Sequence, residues 1–357
     1  MTLTPKPLDL SMDPGELTAA ICDIESVSGN ERPLADAVGA ALQPWPHLRV
    51  ERDGNTVFAF TDEGRSERVV VAGHLDTVPV ADNLPCRVEG GRIYGCGTTD
   101  MKSGVGVALR LAVSVPEPVR DVTWVFYDCE EVEASRNGLL RVSRNNPDWL
   151  AADFAVLMEP TSATVEGGCQ GSLRAEVTVR GRRAHSARSW HGDNAIHAAG
   201  AVLDRLRAYQ AAEVEIDGLV YREGMNAVGI SGGVAGNVIP DECTVSINYR
   251  FAPSKSESEA HDVVRAVFDG FEVSLSDSSP GAMPGLSHPA AAAFVAAIGK
   301  EPLPKFGWTD VARFSALGVP AVNYGPGDPN VAHTREEYVD VALIVECEDR
   351  MRTWLTG

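Results

Sequence analysis

The chain has 357 residues and a formal net charge of −19, from 31 Lys and Arg against 50 Asp and Glu. This length exceeds what one hydrophobic core usually serves, so we expect two domains. The acidic balance and the lack of any Lys- and Arg-rich run argue against a nucleic-acid partner, because a phosphate backbone attracts clustered positive charge.

The seven cysteines include no C-x-x-C pair. That argues against a disulfide framework or a thiolate zinc site and favours a reducing cytoplasm. The N-terminal residues lack the apolar stretch of a signal peptide, and no window reaches the roughly 20 apolar residues of a membrane span. These features predict a soluble intracellular protein.

In the first half of the chain, strands and helices alternate. Asp13-Pro14 and the helical spacing of the apolar residues after it predict one helix over residues 13–43. The remaining predicted elements are strands at about 49–60, 68–73, 122–128 and 154–158, with helices at 102–115 and 137–145. This alternation predicts an α/β sheet.

Near residue 172 the pattern changes to the order strand, helix, strand, strand, helix, strand. The predicted elements lie at 172–180, 194–209, 226–233, 243–251, 257–269 and 271–276. That is the order of a split βαβ, or ferredoxin-like, unit. We therefore predict a second domain, residues 172–286, inserted into a first domain of residues 1–171 and 287–357. The first domain ends with a helix at 289–299, a strand at 320–324 and a helix at about 340–355.

Five short segments carry possible metal ligands at the points where strands should end. The residues are His74 with Asp76, Asp100, Glu130 with Glu131, Glu159 and His333. In an open α/β sheet the carboxyl ends of the strands converge on one crevice, where ligands collect. Two histidines and several carboxylates at that edge predict a site for one or two divalent cations.

The set suits a hydrolytic centre with two metals. Such a centre needs a bridging carboxylate, a His and a carboxylate on each ion with room for water, and one free carboxylate as base. His74 and Asp76 share a face of extended backbone, so Asp76 is placed to hold the second ring nitrogen of His74. Because Glu130 and Glu131 are adjacent and point in different directions, one can bind a metal while the other acts as base.

Each residue, taken alone, also has an ordinary structural interpretation. Asp100 suits the N-cap of the helix that follows it. Glu130 with Glu131, and Glu159 before Pro160, suit acidic surface turns, and His333 alone suits a structural or exposed histidine. No single residue is decisive, and it is their joint spacing that favours a metal site with Asp100 as the bridge.

The chain resembles the zinc amidohydrolase family that includes aminoacylases, acetylornithine deacetylase, carboxypeptidase G and succinyl-diaminopimelate desuccinylase. The motifs that carry the resemblance are residues 73–79 (GHLDTVP), 95–104 (GCGTTDMKSG) and Glu130-Glu131. It extends over nearly the whole chain. It implies a mixed-sheet, zinc-peptidase-like α/β catalytic domain with an inserted ferredoxin-like dimerisation domain. An open sheet edge in that insert can pair with a second copy, which predicts a homodimer.

The resemblance also implies roles for individual residues. It places one Zn²⁺, or Co²⁺, on His74, Asp100 and Glu159, and a second ion on His333, Asp100 and Glu131. It implies that Glu130 is the general acid and base, that Asp76 supports the ligands, and that His185 reaches the oxyanion in the partner subunit. For His185 a polar loop residue is the alternative.

Further stretches are similar to the actinobacterial desuccinylases of this family, at residues 165–171, 183–190, 232–240, 307–310 and 323–327. They imply hydrolysis of N-succinyl-LL-2,6-diaminopimelate to LL-2,6-diaminopimelate and succinate, in lysine and diaminopimelate biosynthesis. Some desuccinylases carry a basic pair where this chain has Cys169-Gln170. The candidates for binding the substrate carboxylates are Gln170, Asn237, Arg250, Thr309 and Arg313, and for each Arg the alternative is an ion pair with a surface acid.

The metal residues alone do not separate a desuccinylase from an acetylornithine deacetylase or a metallo-dipeptidase. The alternative from another class is a non-catalytic, metal-binding dimeric scaffold. A missing Glu130 or a missing ligand would favour the scaffold, and every expected position is filled.

Overall fold

The structure is a computed structural model that describes residues 8–357. Residues 1–7, on which the prediction of no signal peptide partly rests, lie outside the described residues. The described chain divides into two compact units. The first comprises the described residues through Gly168, Pro284–Leu303 and Thr309–Gly357, and the second comprises Cys169–Met283 and Pro304–Trp308.

Helices and strands alternate through most of the chain. The α-helices are α1 Pro14–Cys22, α2 Arg32–Leu42, α3 Ser103–Ser114, α4 Gly138–Asn145, α5 Ala195–Ala198, α6 Gly200–Ala208, α7 Glu257–Val267, α8 Pro289–Ile298, α9 Val311–Ala316 and α10 Val341–Thr356. The strands are β1 Arg49–Asp53, β2 Thr56–Phe60, β3 Arg68–His74, β4 Arg87–Glu89, β5 Arg92–Tyr94, β6 Asp121–Tyr127, β7 Phe154–Leu157, β8 Glu166–Gly167, β9 Gly171–Arg180, β10 Ala184–His185, β11 Glu213–Ile216, β12 Leu219–Arg222, β13 Gly224–Gly232, β14 Val238–Ile239, β15 Glu242–Phe251, β16 Glu272–Ser279, β17 Leu303–Pro304, β18 Ala321–Asn323 and β19 Tyr338–Asp340.

The first unit is built on a mixed sheet with the strand order β1-β2-β6-β3-β7-β18-β8-β17. At its centre β3 runs parallel to both β6 and β7, and β18 runs parallel to β7. Every residue of β2, β6 and β7 is buried, as is every residue of β3 after its first. Helices pack against this sheet, which explains why its strands are continuous apolar runs rather than alternating ones.

The predicted helix over 13–43 is wrong, because two helices occupy this region. Between α1 and α2 the chain leaves the helical conformation, and Gly29 has a φ of 92°. There Val27 pairs with Thr77 and Ser28 N donates to Thr77 O at 3.1 Å. Pro33 then starts α2 in the first turn, where its missing N–H costs nothing. A pairing with a distant segment therefore overrides the local helical spacing.

In the second unit a four-stranded antiparallel sheet has the order β13-β15-β9-β16. Numbered along the chain, these strands lie second, third, first, fourth, which is the split βαβ arrangement. In β9 and β15 the burial alternates, so that one face of each strand is buried and the other is partly or fully exposed. Short hairpins at β4–β5 and β11–β12 were not among the predicted elements.

The first and last parts of the second unit's main segment lie side by side. Cys169 N donates to Ala282 O and Ala282 N donates to Cys169 O, both at 3.0 Å.

Among residues 8–357, no helix combines the length and the apolar composition that crossing a membrane requires.

Candidate metal centre and active site

The carboxyl ends of three neighbouring strands carry the predicted site. His74 is the last residue of β3, Glu130 follows β6 by three residues, and Glu159 follows β7 by two. Because β3 is parallel to β6 and to β7, these ends lie at one edge of the sheet. The structure therefore brings these three residues to one edge of the sheet, where the apolar runs place them.

Asp100 lies at the centre of the site, with its two carboxylate oxygens directed to different histidines. Asp100 Oδ1 is 3.2 Å from His74 Nε2, and Asp100 Oδ2 is 3.2 Å from His333 Nε2. One ligand atom each of His74, Asp100 and Glu131 lies within 4.8 Å of the others. Asp100 is not an N-cap, since α3 begins at Ser103 and the backbone at Asp100 is not helical.

The His333 side of the site is more open than the His74 side. His333 Nε2 is 2.8 Å from Glu131 Oε1, and the His333 side chain is 47% exposed against 1% for His74. His333 has a φ of 61° and Cys129, just before Glu130, a φ of 58°. A non-glycine residue in this left-handed region costs on the order of 1–3 kcal/mol and persists only where its surroundings hold it. The packing around the site therefore maintains both turns.

Asp76 holds the turn that carries the two glutamates. Its Oδ1 accepts from Glu130 N at 2.9 Å and its Oδ2 from Glu131 N at 3.0 Å. Ser28 Oγ donates to Asp76 Oδ2 at 2.7 Å. His74 Nδ1 lies 3.0 Å from the backbone carbonyl oxygen of Asp76 and 3.6 Å from Asp76 Oδ1. Asp76 thus contacts His74 mainly through its backbone, while its carboxylate orients Glu130 and Glu131.

Glycines allow the chain to pack tightly around Glu159, which is buried. A β-carbon at Gly104 would lie 2.2 Å from Met158 O, and one at Gly325 would lie 2.4 Å from the same atom. Only glycine permits such an approach to a backbone carbonyl. This requirement explains two of the glycines in the motifs quoted above.

Burial raises the pKa of Glu130 well above its usual value, and the nearby charges of Glu131, Glu159 and Asp310 add to this, while His74 opposes it. Burial also raises the pKa of Glu131, against the hydrogen bond from His333. A carboxyl group with a raised pKa is suited to both accepting and returning a proton. Glu130 has this property. Among the described residues, no Lys or Arg forms an ion pair with the Glu130 side chain, so it does not serve as a structural ion pair.

The two histidines are surrounded by carboxylates, which favour the protonated form of the imidazole. Burial opposes protonation of His74, but its hydrogen bond to Asp100 and the charges of Asp76, Asp100 and Glu130 outweigh it and raise its pKa. Hydrogen bonds to Asp100 and Glu131 raise the pKa of His333 to about 10. Burial opposes ionisation of Asp100, yet its hydrogen bonds to His333 and His74 lower its pKa. The cluster therefore attracts positive charge, and its imidazole and carboxylate donors fit divalent cations.

A second group of possible donors lies nearby, formed by Glu31, Asp128 and Cys129. Asp128 is ion-paired to Arg141 at 2.7 Å, and Cys129 Sγ donates to Glu31 Oε1 at 3.2 Å. A cation in this group would have to compete with the Arg141 guanidinium, so we interpret it as structural.

Residues that the sequence did not single out complete the site. Asp310 is fully buried, accepts from Asn137 Nδ2 at 2.9 Å, and forms an ion pair with Arg313. It follows Thr309 in a stretch that carried the resemblance, which was the available signal. Glu337 Oε1 accepts from Thr99 N at 2.9 Å and from Asp100 N at 3.1 Å. Nothing in the sequence distinguishes Glu337 from its neighbour Glu336.

Two predicted substrate-binding residues belong to the first unit. Thr309 is buried, and its hydroxyl donates to Asn323 Oδ1 at 2.8 Å. Arg313 forms an ion pair with Asp310, which is buried and is not a surface acid. The ordinary interpretation of an Arg on the surface therefore does not hold for Arg313.

The other predicted residues belong to the second unit. Gln170 is buried and its Nε2 donates to Arg222 O at 2.8 Å, while Arg250 lies in β15. His185 ends β10, is exposed, and accepts from Ala187 N at 3.0 Å. Asn237 O accepts from Ser186 N at 2.9 Å, next to the antiparallel pairing of β10 with β14, so two distant segments bring Asn237 close to His185.

Known proteins are similar to this chain over most of its length. The model of peptidase family M20/M25/M40 matches residues 70–356. A protein of Mycobacterium tuberculosis (strain H37Rv), provisionally named succinyl-diaminopimelate desuccinylase, is 57% identical over 353 residues, which cover 98% of this chain and 100% of that protein. The succinyl-diaminopimelate desuccinylase of Corynebacterium glutamicum is 48% identical over 361 residues, 98% of each chain.

Solved structures share the fold. An M20 metallo-carboxypeptidase of Sulfolobus solfataricus has a TM-score of 0.78 at 14% identity, covering 96% of this chain and 98% of its own. A dinuclear metal-binding M20 peptidase of Bacillus subtilis has a TM-score of 0.67 at 16% identity, covering 95% of each chain. The predicted α/β mixed-sheet fold is confirmed, and the match over most of its length shows that this chain belongs to peptidase family M20/M25/M40.

Proposed function

We propose that this chain is a metal-dependent amide hydrolase that removes succinate from N-succinyl-LL-2,6-diaminopimelate, in lysine and diaminopimelate biosynthesis. Identities of 57% and 48% with two proteins named for this activity, each over nearly the whole chain, support the substrate. The observation that carries the chemistry is the half-buried Glu130, whose pKa is raised, beside a cluster of histidines and carboxylates.

We infer that the cluster binds two divalent ions, Zn²⁺ or Co²⁺. His74, Asp100 and Glu159 would hold one ion, and His333, Asp100 and Glu131 the other. The direction of the two Asp100 oxygens to different histidines supports Asp100 as the shared ligand. When bound, such ions polarise a carbonyl oxygen and lower the pKa of a water molecule towards neutrality.

The side chains of this protein then handle the protons. Glu130 accepts a proton from the attacking water and returns it to the leaving amine, for which a raised pKa is suited. Asp76 keeps the Glu130 backbone in place through its hydrogen bond at 2.9 Å. Cys129 is not a nucleophile, because burial and the hydrogen bond to Glu31 raise the pKa of its thiol to about 12. With water as nucleophile, no covalent intermediate forms.

We further propose that residues 1–171 and 287–357 form the catalytic domain and that residues 172–286 mediate a homodimer. β13 lies at the edge of its sheet and exposes apolar side chains, among them Val228 and Ile230. An exposed, apolar edge strand is a template for pairing with a second copy. His185 would act in the partner's site. Thr309, Arg313, Gln170, Asn237 and Arg250 stay predicted substrate-binding residues.

The reaction belongs in the cytoplasm under this proposal. All seven cysteines lie among the described residues, and all are free thiols. Unpaired cysteines are the usual condition of proteins in a reducing compartment.

The test is release of free amine from N-succinyl-LL-diaminopimelate by metal-reconstituted protein, with N-acetylornithine in parallel. Metal-dependent turnover of the succinyl compound alone supports the proposal. Turnover of the acetyl compound alone would keep the hydrolytic site and replace the substrate with that of a deacetylase. If neither compound reacts while two metals are bound per chain, a metallo-dipeptidase or a non-catalytic scaffold becomes the better interpretation.

A further inference from the structure

The segment that carries Asp100 is held by a carboxylate from a distant part of the chain. Glu337 Oε1 accepts the backbone N–H groups of Thr99 at 2.9 Å and of Asp100 at 3.1 Å. The backbone at Asp100 is not helical, so these N–H groups are not satisfied within a helix. Successive N–H groups aimed at one anion form a backbone nest, and hydrogen bonds to a carboxylate are the stronger kind.

Glu337 is itself fixed in place. It is 1% exposed, its backbone N–H donates to Thr334 O at 3.2 Å, and its carbonyl oxygen accepts from Gly95 N at 3.0 Å. The next residue begins β19, which pairs with β5, and Thr99 Oγ1 donates to Tyr338 O. The chain around Glu337 is thus bonded at several points to the segment 94–100.

The same short segment carries His333, four residues before Glu337. His333 Nε2 lies 3.2 Å from Asp100 Oδ2. The Glu337 carboxylate holds the backbone of Asp100, and the chain that bears Glu337 bears His333. Glu337 therefore links the positions of two side chains that face each other across the proposed metal centre.

We propose that Glu337 is a positioning residue for the metal centre, which sets the place and direction of the Asp100 carboxylate relative to His333. The inference rests on the proposed function only in taking Asp100 and His333 as metal ligands. Groups that orient metal ligands matter nearly as much as the ligands, and replacing them typically weakens metal binding on the order of 10–100-fold. A role in folding alone would leave the affinity of the folded protein for metal unchanged.

The experiment titrates chelator-treated protein with Zn²⁺ and, separately, with Co²⁺, in Glu337→Ala and Glu337→Gln variants. Glu336→Ala is the matched control, because Glu336 is the adjacent glutamate and is exposed. We expect Glu337→Ala to weaken binding by on the order of 10–100-fold and to alter the visible spectrum of the Co²⁺-loaded protein. Glu337→Gln keeps one acceptor oxygen without the charge, so its metal affinity should lie between those of Glu337→Ala and the parent. The metal affinity of Glu336→Ala should match that of the parent.

Parental metal affinity and a parental Co²⁺ spectrum in Glu337→Ala would overturn the proposal, even if the metal-free variant melts at a lower temperature. If Glu337→Ala does not fold, Glu337→Gln decides, and parental affinity there overturns the proposal equally. Metal binding is measured without substrate. A parent protein that binds metal but does not hydrolyse the succinyl compound would contradict the proposed function and leave this result interpretable.

Discussion

The two sheets of this protein differ in how much of their surface is buried. In the first unit, β2, β6 and β7 are buried along their whole length, on both faces of the sheet. In the second unit, β9 and β15 alternate between buried residues and residues that are partly or fully exposed. The central strands of the first sheet therefore leave no face open to a ligand or partner, and the polar residues of the proposed site lie at the ends of these strands. The second sheet keeps a face and an edge strand open.

This difference separates two tasks. A doubly covered sheet holds the strand ends rigidly, which suits ligands that must converge within a few ångströms of Asp100. A sheet with an open edge suits association, because unpaired backbone groups and exposed apolar side chains remain available there. Substitutions at the strand ends, at the open edge and within the two sheets test this division.

The largest effect is expected at the end of β6, where Glu130→Gln should lower kcat by on the order of 10²–10⁴-fold. Glutamine cannot accept the proton, although it has nearly the same shape and leaves the proposed ligands intact. Steady-state kinetics on protein of measured metal content checks this. Glu133→Gln is the control, since the Glu133 side chain is 60% exposed, and it should be close to the parent. Substantial activity in Glu130→Gln with full metal content would remove Glu130 from the mechanism.

The next effect concerns the open edge of the second sheet, where Ile230→Lys should convert a dimer into monomers. Ile230 is 56% exposed on β13, and a lysine on an edge strand opposes pairing with a second copy. Sedimentation velocity should show at least about tenfold weaker association. Val88→Lys is the matched control, because Val88 is 65% exposed in the first unit. A parent that is monomeric and fully active would contradict both the interface and the role of His185 in the partner's site.

A third test compares neighbouring residues within single strands. Val70 and Val71 point to opposite faces of β3 and both are fully buried, so each change to Ala should cost about 2–3 kcal/mol of unfolding free energy. In β9 the pair is Val177, which is buried, and Glu176, which is exposed. Val177→Ala should cost a similar amount, and Glu176→Ala about 0.5 kcal/mol or less. Urea unfolding measures the unfolding free energy of all four variants. A loss well below about 2 kcal/mol in Val70→Ala or Val71→Ala would show that one face of β3 is not packed.

The smallest effect is expected on stability in acid, where carboxylates that accept hydrogen bonds in the folded state become protonated. Burial opposes ionisation of Asp53, but hydrogen bonds from Asn145, Arg141 and Asn146 outweigh it and lower its pKa. A folded-state pKa below the unfolded value means that Asp53 stabilises the fold above about pH 4 and that this contribution is lost as the pH falls through the folded pKa. Asp53→Asn should therefore flatten the decline of stability in acid.

The matched change in the second unit is Glu272→Gln. A hydrogen bond from Arg180 lowers the pKa of Glu272, but this carboxylate is fully exposed, where solvent screens the interaction. Its effect on the acid slope should be smaller than that of Asp53→Asn. Unfolding midpoints at stepwise lower pH measure both, and an unchanged slope in Asp53→Asn would contradict the prediction.

Much of the first unit and the place of its site could be predicted from the sequence, because buried parallel strands are visible as apolar runs. The convergence of their ends then placed His74, Glu130 and Glu159 at one edge. The split βαβ order of the second unit was equally visible, since its strands alternate and its helices are amphipathic.

Features that depend on distant residues could not be predicted. The break between α1 and α2 exists because Ser28 bonds to Thr77, and no local pattern marks that pairing. The non-helical backbone at Asp100 is held by Glu337, far along the chain, and adjacent glutamates in a sequence do not reveal which of them is buried. The short hairpins carry too few residues for a periodic pattern.

The paired backbone bonds between Cys169 and Ala282 bear on how such a protein changes over evolutionary time. When a chain departs and returns at adjacent positions, the distance between those positions does not depend on how much polypeptide lies between them. Lengthening such an excursion adds little closure entropy, since that cost grows only with the logarithm of its length. A short turn, a longer arm or a whole folded module can therefore occupy this place in turn, and new partners can be acquired there while the metal ligands of the other unit keep their positions.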